Sequence, residues 1–454
     1  MRVKLYFRPA LAAACLAAAL FAPPAAAQSD PGEGRPPKLF GSSLDRLRWD
    51  DGRNTAVESG RGRVREKRAE EAGEEVIRVE TSLVVCDFLV LDRRGRPVEG
   101  LTPDDFVVTE DGAPQQVGTF VLGDSLAVPR SIVLIIDYSS SQFPFIRTSV
   151  EAARTLVDKL NPKDRMAIVT DDVELLVGFT RDRELLKKGL DALEKRTGAR
   201  GDAAAAAGPR RFGRSAQYSA LMATFREAFT PDDARPVVIF QTDGDEVELL
   251  RDTPVNPSVP PGLPPDLRKE QRRMVARMKR YRRDNLREFG LADVYAAAER
   301  SRATVYTVVP GFRLVGLAPD RQVEQLRAHH EKGLSAWADP VERERALARL
   351  EERYKRMPAE AARYWAGQAH EVQKALAGVA EITGGWTDFL EDPSQAPEVY
   401  ARILSDINRR YVVGYYPSNR ERDGRRREVK IEVRGHPDYT VWGRKSYYAP
   451  GPDD

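Results

Sequence analysis

The run SIVLIID, residues 131 to 137, is apolar at every internal position. A strand of that texture leaves no alternate side chain to face water, so both of its faces must be covered. PVVIFQTD, residues 236 to 243, has the same texture. Helical patterns separate and follow these strands. Ile146, Val150, Ala153, Leu156 and Val157 recur at helical spacing in a helix from about Pro144 to Leu160. RMAIVTD and VELLVGF come next with almost no connection, which predicts a hairpin with the second strand at a sheet edge. Arg183 to Leu193 reads as an amphipathic helix, Gly198 to Gly213 as a loop, and SAQYSALMATFREAF as a further helix. LADVYAAAERSR and ATVYTVV repeat the helix–strand rhythm. The alternation predicts a mostly parallel sheet with helices on both faces.

Two excursions break the rhythm, at about 250–289 and 312–368. Pro254 to Pro265 is too proline-rich for regular structure, and 267 to 288 is helical in pattern and dense in Arg and Lys. In the second excursion Asp339-Pro340 is a helix start, a capping side chain followed by Pro at the first helical position. Val341, Leu347, Leu350 and Tyr354 mark one face of that helix. The next runs from Ala359 with Trp365, Val372, Leu376 and Val379 on one face, and Gly384-Gly385 ends it. Trp386 to Leu390 is a last short strand, and EVYARILSDINRR a closing helix.

The ends read differently. Arg2 and Lys4, the apolar stretch Leu11 to Phe21, and Ala25-Ala26-Ala27 form a secretory signal over residues 1–27. The expected location is therefore outside the cytoplasm: periplasmic, cell-surface or extracellular. The alternative, a lipoprotein acylated at Cys15, lacks the larger aliphatic residue wanted before the cysteine. The apolar core is too short to favour a spanning helix, so no transmembrane helix is expected after cleavage. Cys86 is then the sole cysteine, which excludes an internal disulfide. Residues 28–74 read as a disordered tether, poor in large apolar residues. Residues 75–127 and 409–450 have antiparallel strand texture, with Asp111-Gly112 a strong hairpin signal. The two segments are expected to form one β domain around the domain at 128–408.

Asp137 ends the first apolar strand, and Ser139 and Ser141 follow at alternate positions. One carboxylate and two hydroxyls in a tight loop suit a hard divalent cation. Asp243 ends another buried strand. Ligands of open parallel sheets bind at such carboxyl ends, where the strand order reverses. Ser215, before the third helix, is the best placed further hydroxyl, with Thr197 as the alternative.

Asp137-Tyr138-Ser139-Ser140-Ser141 resembles the DxSxS motif of von Willebrand factor A (VWA) domains, and Thr242-Asp243-Gly244 resembles their third-loop TDG. Gly213-Arg214-Ser215 stands where that family usually has Gly-Gly-Thr. LVVCDFLVLDRRGRPVEGLTPDDFVVTEDGAPQQV and YVVGYYPSNRERDGRRREVKIEVRG look like the flanks of bacterial secreted proteins with a VWA-related domain. The likeness covers about residues 75 to 450 without the excursions. It implies a Rossmann-like VWA domain with helical insertions, plus the small antiparallel β domain from both flanks. It implies a metal-ion-dependent adhesion site (MIDAS) of Asp137, Ser139, Ser141, Ser215 and Asp243. The expected ion is magnesium, with manganese or calcium as alternatives, and the open position takes an Asp or Glu carboxylate of a partner protein.

Competing readings set the limits. A structural or scaffold protein of the cell envelope with a degenerate, metal-independent site is the alternative function, motivated by Ser215. No residue reads as a general base, and the Gly-x-Ser-x-Gly elbow is missing, so no enzyme is expected. Asp171-Asp172 reads as a hairpin turn, Asp245 and Glu246 as solvated, and His329, His330 and His370 as exposed helix residues. The net charge of +3 decides nothing about nucleic acid, but export argues against it. The basic stretch 267–288 is a solvated helix face or a dock for an acidic envelope component.

Overall fold

The computed structural model describes residues 40–41, 43–44, 47–50, 55–58, 83–125, 128–197, 215–230, 233, 235–335 and 339–451. The signal, most of the tether and the loop at 198–213 lie outside the described residues.

Part of the stretch read as a tether is held. β1 (Leu47–Asp50) and β2 (Thr55–Glu58) pair as an antiparallel hairpin. Just before them, the amides of Gly41 and Ser43 donate to the Glu227 carboxylate at 2.7 and 2.8 Å. Phe40 and Leu44 pack against the core of the α/β domain, a local contact that average composition conceals.

The first flank supplies β3 (Val84–Leu91), β4 (Phe106–Glu110), β5 (Ala113–Gln115) and β6 (Val117–Leu122). Asp111 and Gly112 both have positive φ, 47° and 81°, as a tight two-residue hairpin turn requires. The α/β domain follows with β7 (Arg130–Ile136), α1 (Phe143–Asp158), β8 (Arg165–Thr170), β9 (Leu175–Thr180) and α2 (Arg183–Thr197). After the undescribed loop come α3 (Gln217–Ala223), a π turn at Thr224–Ala228, and β10 (Arg235–Gln241).

α4 (Pro265–Asn285) forms the first excursion; α5 (Leu291–Arg300) and β11 (Thr304–Pro310) resume the rhythm. The second excursion holds α6 (Pro319–Ser335) and α7 (Pro340–Arg356), and α8 (Ala359–Ile382) runs unbroken from it back to the sheet. Asp339 caps α7, accepting from Val341 N and Glu342 N at 2.9 and 3.1 Å. Val341 itself is exposed, and Ala346 is the buried residue of this helix. β12 (Thr387–Leu390) and α9 (Ala396–Arg409) close the domain. The second flank adds β13 (Tyr411–Tyr415), β14 (Arg426–Val433), β15 (Thr440–Gly443) and β16 (Ser446–Tyr448).

The six-stranded sheet has the order β12-β11-β10-β7-β8-β9. Its pairs are parallel except β8–β9, the expected edge hairpin. Side chains alternate across a strand. Ile132, Leu134 and Ile136 of β7 therefore pack on one face with α1, α2 and α9, while Val133 and Ile135 pack on the other with α3, α5 and α8. Each such aliphatic residue contributes about 1.5–3 kcal/mol by burial, which is why the run is apolar without interruption. This is the VWA-like α/β architecture that the motifs imply. The chain moves from β7 to β8 on one side and returns to β10 on the other, so the strand order reverses between β7 and β10.

The flanks form two antiparallel four-stranded sheets, β15-β3-β13-β6 and β16-β14-β4-β5, around Phe88, Phe106, Tyr411 and Val413. They meet the α/β domain at the amino ends of its strands. Arg235 opens β10 and binds Asp87 of β3; Trp442 Nε1 donates to Gly385 O just before β12; Arg444 reaches Ala303 O just before β11. Both helical excursions leave from the opposite, carboxyl rim.

The histidines of α6 are half-buried rather than exposed. His329 stacks on Phe312 with ring centres 4.3 Å apart, and His330 Nδ1 lies 2.9 Å from the Tyr354 hydroxyl of α7. Burial pushes both imidazoles down to about 4, helped by Lys332 at the first and by His329 and Arg353 at the second. Unfolded histidine titrates near 6.5, so their stabilising effect is complete above that pH and is lost as pH falls toward 4. Each imidazole contributes on the order of 3 kcal/mol. Hydrogen exchange of α6 and α7 is expected to accelerate sharply between pH 6.5 and 4.5, and less so in His330→Gln. An identical acid profile in the two proteins would contradict this.

Candidate metal site

At the reversal point, β7 and β10 are in register from Arg130–Arg235 to Ile136–Gln241, so their next residues emerge side by side. Asp137 follows one strand, Thr242 and Asp243 the other. One carboxylate oxygen each from Asp137, Asp243 and Asp245 lies within 4.8 Å of the other two. Among the described residues this is the one such cluster of His, Cys, Asp or Glu ligand atoms.

Asp137 is wholly buried. Its Oδ1 accepts from Ser139 N at 2.9 Å, and its Oδ2 from Thr242 Oγ1 at 2.9 Å and Gln217 Nε2 at 3.3 Å. Ser139 Oγ and Ser141 Oγ are 3.1 Å apart, and Ser141 Oγ donates to Asp243 Oδ2 at 2.6 Å. Gln142 Nε2 donates to the same oxygen at 2.7 Å. Burial pushes the Asp137 carboxyl up to about 7, and the Asp243 charge adds to the rise. Ser141 is exposed and Asp243 half-buried, so the cluster opens to solvent on that side.

Four of the five expected site residues are thus brought together. Ser215 is placed less directly. Its φ is 53°, its amide donates to Asp171 Oδ2 at 2.8 Å, and its buried Oγ has no hydrogen-bond partner. Thr197 is no substitute, since its hydroxyl donates to the Leu193 and Glu194 carbonyls inside α2.

Several side chains differ from their sequence reading. Asp171 and Asp172 both lie in the β8–β9 turn, which Val173 N closes by donating to Thr170 O, and Asp171 is in addition a buried clasp between loops. Its carboxylate accepts from Tyr138 N at 3.1 Å and Ser215 N, and its carbonyl accepts from Ala216 N at 2.9 Å. Burial raises its carboxyl well above the usual range, and the Asp137 charge adds to the effect. Glu246 is buried rather than solvated. It accepts from Tyr218 N at 2.5 Å, from Ser219 N and Oγ at 3.1 and 2.9 Å, and pairs with Arg287. It thereby caps the start of α3. Asp245 joins the carboxylate cluster and accepts from Gln217 Nε2. Gly244, at φ 79°, has no room for a Cβ, which would fall 2.7 Å from Leu376 Cδ1 of α8. The returning half of α8 thus presses on the loop that carries Asp243.

Gln142 and Gln217 went unread. The available signal was position: each is a polar residue at a helix start, where a buried amide needs a polar partner.

The donor set is entirely oxygen: carboxylates and hydroxyls, with no thiolate or imidazole. It fits a hard divalent cation, not zinc or copper. A cation would also relieve the repulsion that raises Asp137.

No family model matches the chain, and no curated protein matches it. Among solved structures it is similar to the conserved hypothetical protein BatB of Bacteroides thetaiotaomicron, at 14% identity over 61% of this chain and 98% of that one, with a TM-score of 0.29. It is similar to the vWF domain of the type V pili tip protein Mfa5 of Porphyromonas gingivalis, at 14% identity over 62% and 95%, with a TM-score of 0.30. It is also similar to an aerotolerance-related membrane protein of Bacteroides fragilis, at 14% identity over 62% and 98%, with a TM-score of 0.29.

Proposed function

We propose that this protein is an exported binding module that grips a partner protein through a divalent cation held by Asp137, Ser139, Ser141 and Asp243, with Ser215 as a further hydroxyl. The convergence of carboxylates from two neighbouring strand ends carries the reading. Magnesium is the first candidate ion, with manganese and calcium as alternatives. The solvent-facing side, at Ser141 and Asp243, leaves a position for an Asp or Glu of the partner. The reading is of binding and not of catalysis: the hydrogen bonds given above to Asp137 and Asp243 come from hydroxyls, amides and backbone, none of which is a base at neutral pH. No described helix is long and apolar enough to cross a membrane.

The test is a melting series on chelator-treated full chain. Added magnesium, manganese or calcium is expected to raise the melting temperature, by about 2.7 kcal/mol of stability at a hundredfold excess over Kd. Asp243→Ala is expected to abolish the rise. A wild-type protein indifferent to all three ions would sink the proposal. The alternative is a metal-independent envelope scaffold. Gln217 favours it, because its amide already occupies oxygens that an ion would need. Partner binding retained in chelator and in Asp137→Ala would decide for the scaffold.

The exposed side of α4 is a second contact surface in this reading. Lys269, Arg272, Arg273, Arg277, Lys279 and Arg280 are exposed and make no ion pair among the described residues. Such a face favours an acidic envelope component, with an attraction that salt screens.

A further inference from the structure

Gln142 and Gln217 are the side-chain amides of the carboxylate cluster, and in both the oxygen is stranded. Gln142 is 2% exposed and Gln217 wholly buried. Their nitrogens donate into the cluster, Gln142 to Asp243, and Gln217 to both Asp137 and Asp245. Their Oε1 atoms are buried with no hydrogen-bond partner. A buried acceptor left unpaired is costly, and native structures rarely keep one without a use.

An amide has two faces. Half a turn about its terminal torsion exchanges nitrogen and oxygen at nearly the same positions, with no movement of the backbone. Without a cation, the N–H hydrogens lie among carboxylates and damp their mutual repulsion. A cation cannot share that space with N–H donors, but it can share it with carbonyl oxygens.

We propose that Gln142 and Gln217 turn their Oε1 atoms onto a cation bound among Asp137, Asp243 and Asp245, and that the resulting shell selects calcium over magnesium. Three carboxylates, the hydroxyls of Ser139 and Ser141, and two amide oxygens offer seven donors, before any carboxylate binds through both of its atoms. Calcium accepts roughly six to eight oxygens in pliable geometry. Magnesium demands about six in a near-ideal octahedron and gives up its waters reluctantly. A crowded, mixed shell with two rotatable members suits the larger ion. The inference rests on the cluster being a cation site, as proposed above, and goes on to name the ion and three ligands, Asp245, Gln142 and Gln217, that the motif does not contain.

The experiment is calorimetric titration of calcium chloride and magnesium chloride into the chelator-treated full chain. Wild type is expected to bind calcium at least about tenfold more tightly than magnesium. Gln142→Met and Gln217→Met, which keep length and lose the oxygen, are each expected to lower calcium affinity about tenfold and to leave magnesium affinity nearly unchanged. Gln142→Glu keeps an oxygen there and is expected to retain calcium binding. Folding is checked by melting each variant in chelator. Should Gln217→Met fail to fold, Gln142→Met, beside the solvent-facing Asp243, decides.

Magnesium binding as tight as calcium would overturn the inference while leaving the cation reading intact. So would folded Met variants that bind calcium as well as wild type or better, since the glutamines would then only shield an empty site. Wild type that binds neither ion would remove this inference, and the cation reading falls with it when manganese, titrated alongside, also fails to bind.

Discussion

Replacing Arg235 with alanine is expected to destabilise the protein by about 3–5 kcal/mol, the usual result of breaking a buried ion pair from one side. Arg235 is 2% exposed and stands at the first position of β10. Its guanidinium binds Asp87 Oδ2 at 2.8 Å, Gly123 O at 2.6 Å and Ile407 O at 3.2 Å. Those partners belong to β3, to the link into β7 and to α9, so one side chain ties the β domain to both ends of the α/β domain. Alanine would strand two carbonyls and leave the Asp87 carboxylate with only Arg410, 3.7 Å away. Lysine would restore the charge without the planar fork, and is expected to recover less than half of the loss. Urea denaturation of wild type, Arg235→Ala and Arg235→Lys measures this. A shift below about 1 kcal/mol for alanine would mean that the domains do not depend on this tie.

Asp137→Asn is expected to make the cation-free protein more stable at pH 8 and to remove its response to cations. The folded carboxyl is pushed up to about 7, whereas a solvated aspartate titrates near 3.8. Below 3.8 both states are protonated and nothing is lost. Between 3.8 and 7 the folded state alone keeps the proton, so stability falls as pH rises, and above 7 the loss is complete. At about 1.4 kcal/mol per unit, the effect is on the order of 4 kcal/mol. Asparagine keeps the shape and carries no charge. Its advantage is expected to be largest at pH 8, to shrink by pH 5 and to vanish near pH 4. The α6 histidines titrate alike in both proteins, whereas the Asp137 charge feeds the rise of Asp171, so the difference reads residue 137 together with its effect on Asp171. Saturating cation at pH 8 should then favour wild type. Equal stability at pH 8 in chelator would contradict the burial argument.

Arg235 and Asp137 both stand at strand ends, and strand ends are unevenly legible in the sequence. SIVLIID and PVVIFQTD were legible because a two-sided strand has no polar alternation. The β8–β9 hairpin was legible because its connection is too short for a crossover. Asp137 and Asp243 were legible because both follow such strands. Asp245, Gln142 and Gln217 were not, because loop periodicity does not reveal which side chain turns inward. Asp171 was legible as a turn residue but not as a clasp, because its partners, Tyr138 and Ser215, are far away in sequence. The excursions were legible as helices, but the contact of Leu376 with Gly244 is set by tertiary packing alone.

The β domain made from both flanks has a consequence for biogenesis. β13 pairs with β3 and β6 only after the whole intervening domain exists; 323 residues separate Asp87 from Arg410. The entropy of closing so long a loop grows only slowly with its length, so the finished molecule loses little. The order of events changes more. A nascent chain carries β3 and β6 with open edges until β13 has been made, and open edges invite aggregation. Chaperone demand should therefore fall on the first flank, which waits longest for its complement.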